Sequence, residues 1–282
     1  MTNLSTPKPF EGLQSDAPIG IFDSGVGGLT VVRRIMERLP NERIVYFGDT
    51  ARVPYGTKSV PTIRKYAAED TALLLKESPK VIVAACNTVS ALALDIVAQV
   101  ANGIPTIGVV AAGARLAAER SPRGCIGVIG TEATISSGAY YDAIKHLKPT
   151  AKVFSKACPL FVPLAEEGLL SHLATRLIAE DYLSELITQE IDTLVLGCTH
   201  YPLLRNVIAD VVGESVLIID SAEAVALEVE LLLCAARLLN PNVHHLPSKF
   251  IVSDLPTKFN RIAECFLGFL PQHIEVIFPD LH

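Results

Sequence analysis

The chain has 282 residues, enough for one large domain or two of about 100–150 residues each. Half of the residues are hydrophobic, 19% are charged and the mean hydropathy is +0.38, which excludes disorder, collagen-like repeats and a long coiled coil. A formal net charge of −6 and a pI near 5.7 argue against a nucleic-acid partner.

Residues 1–18 lack an apolar signal core and read as a polar, flexible N-terminal arm. Apolar runs at 19–22, 44–47, 81–85 and 106–110 follow. They are continuous rather than alternating, as expected of parallel strands covered on both faces. Helical spacing occupies 28–39, 59–77 and 88–101 between them. A second set places strands at 126–129, 152–155, 194–196 and 216–219, with helices at about 111–120, 134–146, 171–189 and 202–212. A long helix over 221–239 is expected to end at Asn240-Pro241. One more strand-like run at 250–252 and a helical pattern over 257–268 complete the chain. The most apolar stretches, 81–101 and 224–239, carry too many polar residues for membrane spans.

Alternating strands and helices predict an α/β fold with parallel sheets. Eight or nine strands could close one barrel or form two open sheets. A repeat favours two. The segments VIVAACNTVSALA (81–93) and TLVLGCTHYPLLR (193–205) share an apolar strand, a small residue, a cysteine, a polar pair and a helix. They lie about one domain length apart. A duplicated architecture with two facing sites accounts for this.

Ligands of open α/β sheets bind outside the carboxyl ends of the strands. The polar residues at those ends are Asp23-Ser24 with a glycine-rich turn, Gly48-Asp49-Thr50, Pro54-Tyr55-Gly56, Cys86-Asn87-Thr88, Gly130-Thr131-Glu132-Ala133-Thr134 and Gly197-Cys198-Thr199-His200. The turn fails the dinucleotide fingerprint because Thr30 stands where the last glycine should be. A tight turn permitting close packing is the better reading. Of six cysteines, none forms a CxxC pair, so no zinc site or disulfide scaffold is expected. Cys125, Cys158, Cys234 and Cys265 read as packing residues. Cys86 and Cys198 each begin a helix, where the dipole and free N–H groups favour thiolate. His200 could hold a thiol or a carboxylate, or cap its helix. Asp23 could cap or polarise. Glu166 and Glu167 fall in a predicted loop, and His244-His245 in a polar linker without a third metal ligand.

Two thiols facing one ligand suit a two-base racemisation, in which one removes a proton from carbon and the other returns one to the opposite face. Asn87, Thr88, Thr199 and Ser24 would then stabilise the charge that develops.

The segments DSGVGGLT (23–30), YFGDTARVPYG (46–56), ACNTVSA (85–91), GVIGTEATISSGAY (127–140), ACPLFVPLAEEG (157–168) and LVLGCTHYPLL (194–204) resemble the bacterial glutamate racemases of the aspartate/glutamate racemase superfamily. The resemblance implies two similar parallel-sheet α/β domains related by pseudo-two-fold symmetry, with the active site in the cleft between them. It implies a first domain of 19–110 plus 221–282 and a second of 111–220. It also implies interconversion of L- and D-glutamate for peptidoglycan synthesis in the cytoplasm, by a homodimer without pyridoxal phosphate or metal. Cys86 and Cys198 would be the bases, with Asp23, His200 and Glu166 assisting. Substrate contacts would fall on Asp23, Ser24, Tyr55, Gly56, Asn87, Thr88, Thr131, Thr134, Thr199 and His200. Competing readings are an aspartate racemase, a single-thiol decarboxylase and a binding protein that has kept the fold without turnover.

Overall fold

The computed structural model describes residues 12–242, 247–254, 259–271 and 274–277. The first half contains β1 (Ile19–Asp23), α1 (Leu29–Arg38), β2 (Ile44–Gly48), α2 (Val60–Leu75), β3 (Val81–Ala84), α3 (Asn87–Leu92), α4 (Leu94–Ala101) and β4 (Thr106–Gly108). Next come α5 (Val109–Arg120), β5 (Cys125–Gly130), α6 (Glu132–Ser136), α7 (Ala139–Leu147), β6 (Lys152–Ala157), α8 (Phe161–Glu166), α9 (Leu173–Thr188), β7 (Thr193–Gly197), α10 (Arg205–Val212) and β8 (Leu217–Asp220). The chain continues with α11 (Ser221–Ala236), β9 (Lys249–Val252), α12 (Phe259–Leu267) and β10 (Ile274–Val276).

These strands form two sheets in which every ladder is parallel. The first has the order β10-β9-β2-β1-β3-β4 and the second β6-β5-β7-β8. Counted within each half, the four strands β1–β4 and the four strands β5–β8 share the order second, first, third, fourth. That shared order is the structural form of the sequence repeat. It also puts a reversal of strand order between β1 and β3 and again between β5 and β7, where the helices on either side diverge and leave a crevice.

The interior strands β1, β2, β3 and β7 are buried at every residue, which is why their sequences are unbroken apolar runs. Helix α11 packs on both α1 and α5, and α5 packs on α7. One apolar core therefore runs through both halves, from Ile21 and Val83 to Val128 and Val195. Separate cores cover the outer faces, one under α2 and α4 and one under α9 and α10.

Several boundaries differ from the sequence expectation, each for a local reason. The run 106–110 divides after Gly108, because the Val110 N–H donates to Ser90 Oγ at 3.1 Å and Val109 opens α5. The helix expected over 134–146 breaks at Gly138, whose φ is +70°. The one expected over 88–101 breaks at Ala93, with φ −144°. Helix α11 stops before Asn240-Pro241. Arg237 turns left-handed, and the N–H groups of Arg237 and Leu238 close on the carbonyls of Cys234 and Leu233. Residues 161–166 are helical, so Glu166 closes α8 and does not lie in a loop. Pro163 sits in the first turn of α8, where its missing N–H costs nothing. Strand β10 carries no sequence signal of its own at three residues. His244 and His245 lie outside the described residues. Among the described residues, no helix is long and apolar enough to cross a membrane.

Candidate active site

Both strand-order reversals open onto one place. Asp23 ends β1, Cys86 follows β3, Thr131 follows β5 and Cys198 follows β7. A small cavity of about 20 Å³ is walled from the first half by Ser24, Tyr55, Gly56, Cys86, Asn87 and Thr88. The second half contributes Thr131, Cys198, Thr199 and His200. Outside it lies a mouth of about 310 Å³, walled by Pro54, Pro159, Val162 and Pro163 and edged by Glu132 and Glu166.

Cys86 is the residue before α3 and is 5% exposed. Its thiol donates to Ser24 Oγ at 3.6 Å. Burial pushes this thiol up to about 12, and the neighbouring Asp23 adds to the effect. The Val89 N–H and the Ser24 hydroxyl oppose it. Asp23 is fully buried and accepts the Gly25 N–H at 3.1 Å. The Thr199 hydroxyl of the other half donates to it at 3.5 Å. Burial raises the Asp23 carboxyl above its ordinary range, against the pull of His200 and the N–H groups of Gly28, Gly25 and Ser24.

Cys198 is equally buried, but its partner carries charge. Its Sγ lies 3.8 Å from His200 Nδ1, and His200 Nε2 lies 3.0 Å from Glu166 Oε1. Burial disfavours the imidazolium. The contacts with Cys198 and Glu166 outweigh it and push His200 up to about 10. His200 is therefore protonated at neutral pH and presents a positive charge to Cys198 Sγ. It precedes the short 3₁₀ turn Tyr201–Leu204 without capping it by a side-chain bond, so of its two expected uses it serves the thiol and the carboxylate.

The remaining polar groups are arranged around these two. Asn87 Oδ1 accepts from the Tyr140 hydroxyl at 2.8 Å. Its Nδ2 is buried and unpaired, a state that costs about 1–3 kcal/mol until an acceptor arrives. Thr88, Thr131 and Thr134 form a triangle of hydroxyls with separations of 3.2, 3.3 and 3.0 Å. Thr131 also caps α6, its Oγ1 accepting the Thr134 N–H. The Tyr55 hydroxyl points away from the cavity, to Asp49 and to Asp70 Oδ2 at 2.9 Å. Arg52 joins both carboxylates, at 2.5 and 3.2 Å. What Tyr55 and Gly56 offer the cavity is thus chiefly backbone.

Glycines let the halves meet. A Cβ on Gly56 would fall 2.6 Å from Thr131 Cβ, and one on Gly27 would fall 2.6 Å from His200 Nδ1. The glycine-rich turn after β1 is therefore a close-packing turn, and it packs on the cysteine turn of the other half. Thr30 ties the same junction, its hydroxyl 3.3 Å from the Thr199 carbonyl.

Ten of the residues expected at the site line the cavity. Asp23, Thr134 and Glu166 stand behind that lining, holding Thr199, the hydroxyl triangle and His200 respectively. Sequence reasoning passed over Val53 and Val162, apolar wall residues with no chemical signal, and gave Tyr140 no part. Tyr140 sits in the quoted segment 127–140, but only its reach across to Asn87 singles it out.

Two buried cysteines that end corresponding strands of a duplicated parallel α/β fold and line one cavity, each with a polar group on its sulfur, define a two-thiol acid–base site. The chain belongs to the Asp/Glu/hydantoin racemase family, whose model matches residues 19–229. It is 59% identical to the glutamate racemase of Chlorobaculum tepidum over 269 residues, covering 95% of this chain and 99% of that one. A solved glutamate racemase from Francisella tularensis in complex with D-glutamate superposes with a TM-score of 0.89 at 43% identity, over 95% of this chain and all of that one. The glutamate racemase RacE1 of Bacillus anthracis gives 0.88 at 40% identity, over 95% and 99%.

Proposed function

We propose that the protein interconverts L- and D-glutamate by proton transfer at the α-carbon, with Cys86 and Cys198 as the two bases. The observation that carries this reading is that both thiols, one from each half, line one cavity. The similarity to glutamate racemases over nearly the whole chain favours glutamate over aspartate as substrate.

One thiolate takes the α-proton. The C–H bond breaks, an S–H bond forms, and the electron pair passes into the α-carboxylate. The other thiol then gives its proton to the opposite face of the carbon and is left as thiolate. Each turnover exchanges the protonation states of the two sulfurs, and the reverse reaction restores them. Asn87 Nδ2 and the hydroxyls of Thr88 and Thr131 are the donors that would meet the charge on the carboxylate, the Thr199 hydroxyl being engaged by Asp23. His200, backed by Glu166, holds Cys198. Ser24 and the buried Asp23 hold Cys86. The cavity holds about one water, so the walls must part to admit an amino acid. D-glutamate made this way serves peptidoglycan synthesis.

The same reading divides the chain into 19–110 with 221–282 and 111–220. Of the arm expected over 1–18, residues 1–11 lie outside the described residues, and the rest is held to the body, Leu13 packing on the core and the Ser15 carbonyl accepting from Lys80 Nζ at 2.5 Å. The reading is supported by β9 and β10 joining the sheet of β1–β4. It places the enzyme in the cytoplasm as a homodimer, which light scattering on the eluting protein tests.

The deciding experiment is proton NMR of L- and then D-glutamate in D2O with metal-free protein and no pyridoxal phosphate. Loss of the α-proton signal from both enantiomers, with optical rotation falling to zero, is the expected result. Exchange with aspartate alone, or with no amino acid, overturns it.

A further inference from the structure

Tyr140 plays no part in the proton transfers, yet its side chain touches both cysteine turns. It lies in the first turn of α7 and is 2% exposed. Its ring fills a slot left by two glycines. A Cβ on Gly197, the residue before Cys198, would lie 3.1 Å from Tyr140 Cε2, and one on Gly113 of α5 would lie 3.2 Å from its hydroxyl. From that slot the hydroxyl crosses to the other half and donates to Oδ1 of Asn87, the residue after Cys86, at 2.8 Å.

A phenol hydroxyl can meet either end of a carboxamide, but the Ser221 hydroxyl already bonds the Tyr140 oxygen, which leaves the phenol proton to donate and so selects Asn87 Oδ1. With Oδ1 held by Tyr140, Nδ2 must face the other way. Asn87 lines the cavity, and its Nδ2 is buried without a partner. The amide therefore keeps its N–H groups free for an anionic oxygen instead of turning its carbonyl towards it, where carboxylate and carbonyl would repel.

We infer that Tyr140 is a positioning residue that sets the Asn87 amide, from across the cleft, to receive a substrate carboxylate. The inference rests on the racemase reading. It predicts a defect that appears first in binding, because the carboxylate is already negative when the amide meets it and the contact persists through proton transfer.

Tyr140→Phe keeps the ring in its slot and removes only the hydroxyl. Its melting temperature should stay close to wild type. Its KM for both glutamate enantiomers should rise about tenfold, the worth of roughly one buried hydrogen bond, while kcat changes less than about threefold. In an Asn87→Ala background the same substitution should add less than about twofold, because the group it orients is gone. Asn87→Asp, which keeps an acceptor for Tyr140 and loses the N–H donors, should abolish measurable D-glutamate binding by calorimetry, and decides the matter if Tyr140→Phe does not fold. Wild-type kinetics in Tyr140→Phe, an unchanged KM with reduced kcat, effects that multiply in the double variant, or wild-type affinity in Asn87→Asp would each overturn the proposal while leaving the racemase reading intact. A wild-type protein that neither exchanges nor binds glutamate would overturn both.

Discussion

Cys86 and Cys198 follow the third strand of two four-strand units with the same strand order, yet their neighbours differ in kind. Cys86 meets a neutral hydroxyl, Ser24, with a buried carboxyl behind it. Cys198 meets an imidazole that the sulfur itself and a second carboxylate, Glu166, together keep protonated. The fold supplies each half with a sulfur at a helix start. The charge beside that sulfur comes from a divergence within the repeat: His200 stands where the first half has Thr88, and Glu166 of α8 bonds it, whereas the short turn Tyr55–Thr57 between β2 and β3 carries no carboxylate. A duplicated scaffold can thus bring two like groups to one ligand and still set them in different electrostatic states.

Replacing either sulfur tests whether the halves are equivalent where it matters most. Cys86→Ser and Cys198→Ser are each expected to lower racemisation about 10²–10⁴-fold, measured by polarimetry, despite their unlike surroundings. A large residual rate in either would break the two-base reading.

The partners should separate the halves. His200→Ala removes a charged contact and is expected to cost about 10–100-fold in kcat/KM. Ser24→Ala removes a neutral one and should cost about 2–10-fold. Equal losses would show that the asymmetry has no kinetic meaning.

Gly27→Ala tests the junction. The new methyl meets Thr199 and His200, and the strain should lower stability by about 1–3 kcal/mol in urea unfolding. An accompanying fall in activity is expected, because the displaced groups flank Cys198.

The smallest effect concerns pH. His200 titrates at about 10, so its positive charge persists from neutral pH and is lost as pH rises through that value. Nitrogen NMR of the imidazole should show both ring nitrogens protonated at pH 7.5, and racemisation should decline above about pH 10. In Glu166→Gln the midpoint should move down towards the ordinary imidazole range, since one of the two groups that raise it has lost its charge. An unmoved midpoint would leave Cys198 as the sole cause.

The sequence alone was enough for the α/β class and for nine of the ten described strands in order, since a strand buried on both faces must be a continuous apolar run. It was enough, too, for the repeat and for a cysteine at the end of a strand in each half, because both follow from residue type and local period. Element ends were less legible. Ser90, Gly138 and Arg237 set boundaries through contacts or backbone angles that neighbouring residues do not announce. What tertiary structure decided were the long-range relations: Glu166 against His200 within the second half and, across the cleft, Tyr140 against Asn87, Thr199 against Asp23, and Gly27 under the other half's histidine. Those pairs stand 34, 53, 176 and 173 residues apart in the chain. No local propensity couples groups so distant. Packing within the second half gives His200 its charge, and the meeting of two sheets at their strand ends gives the other side chains their partners and their aim.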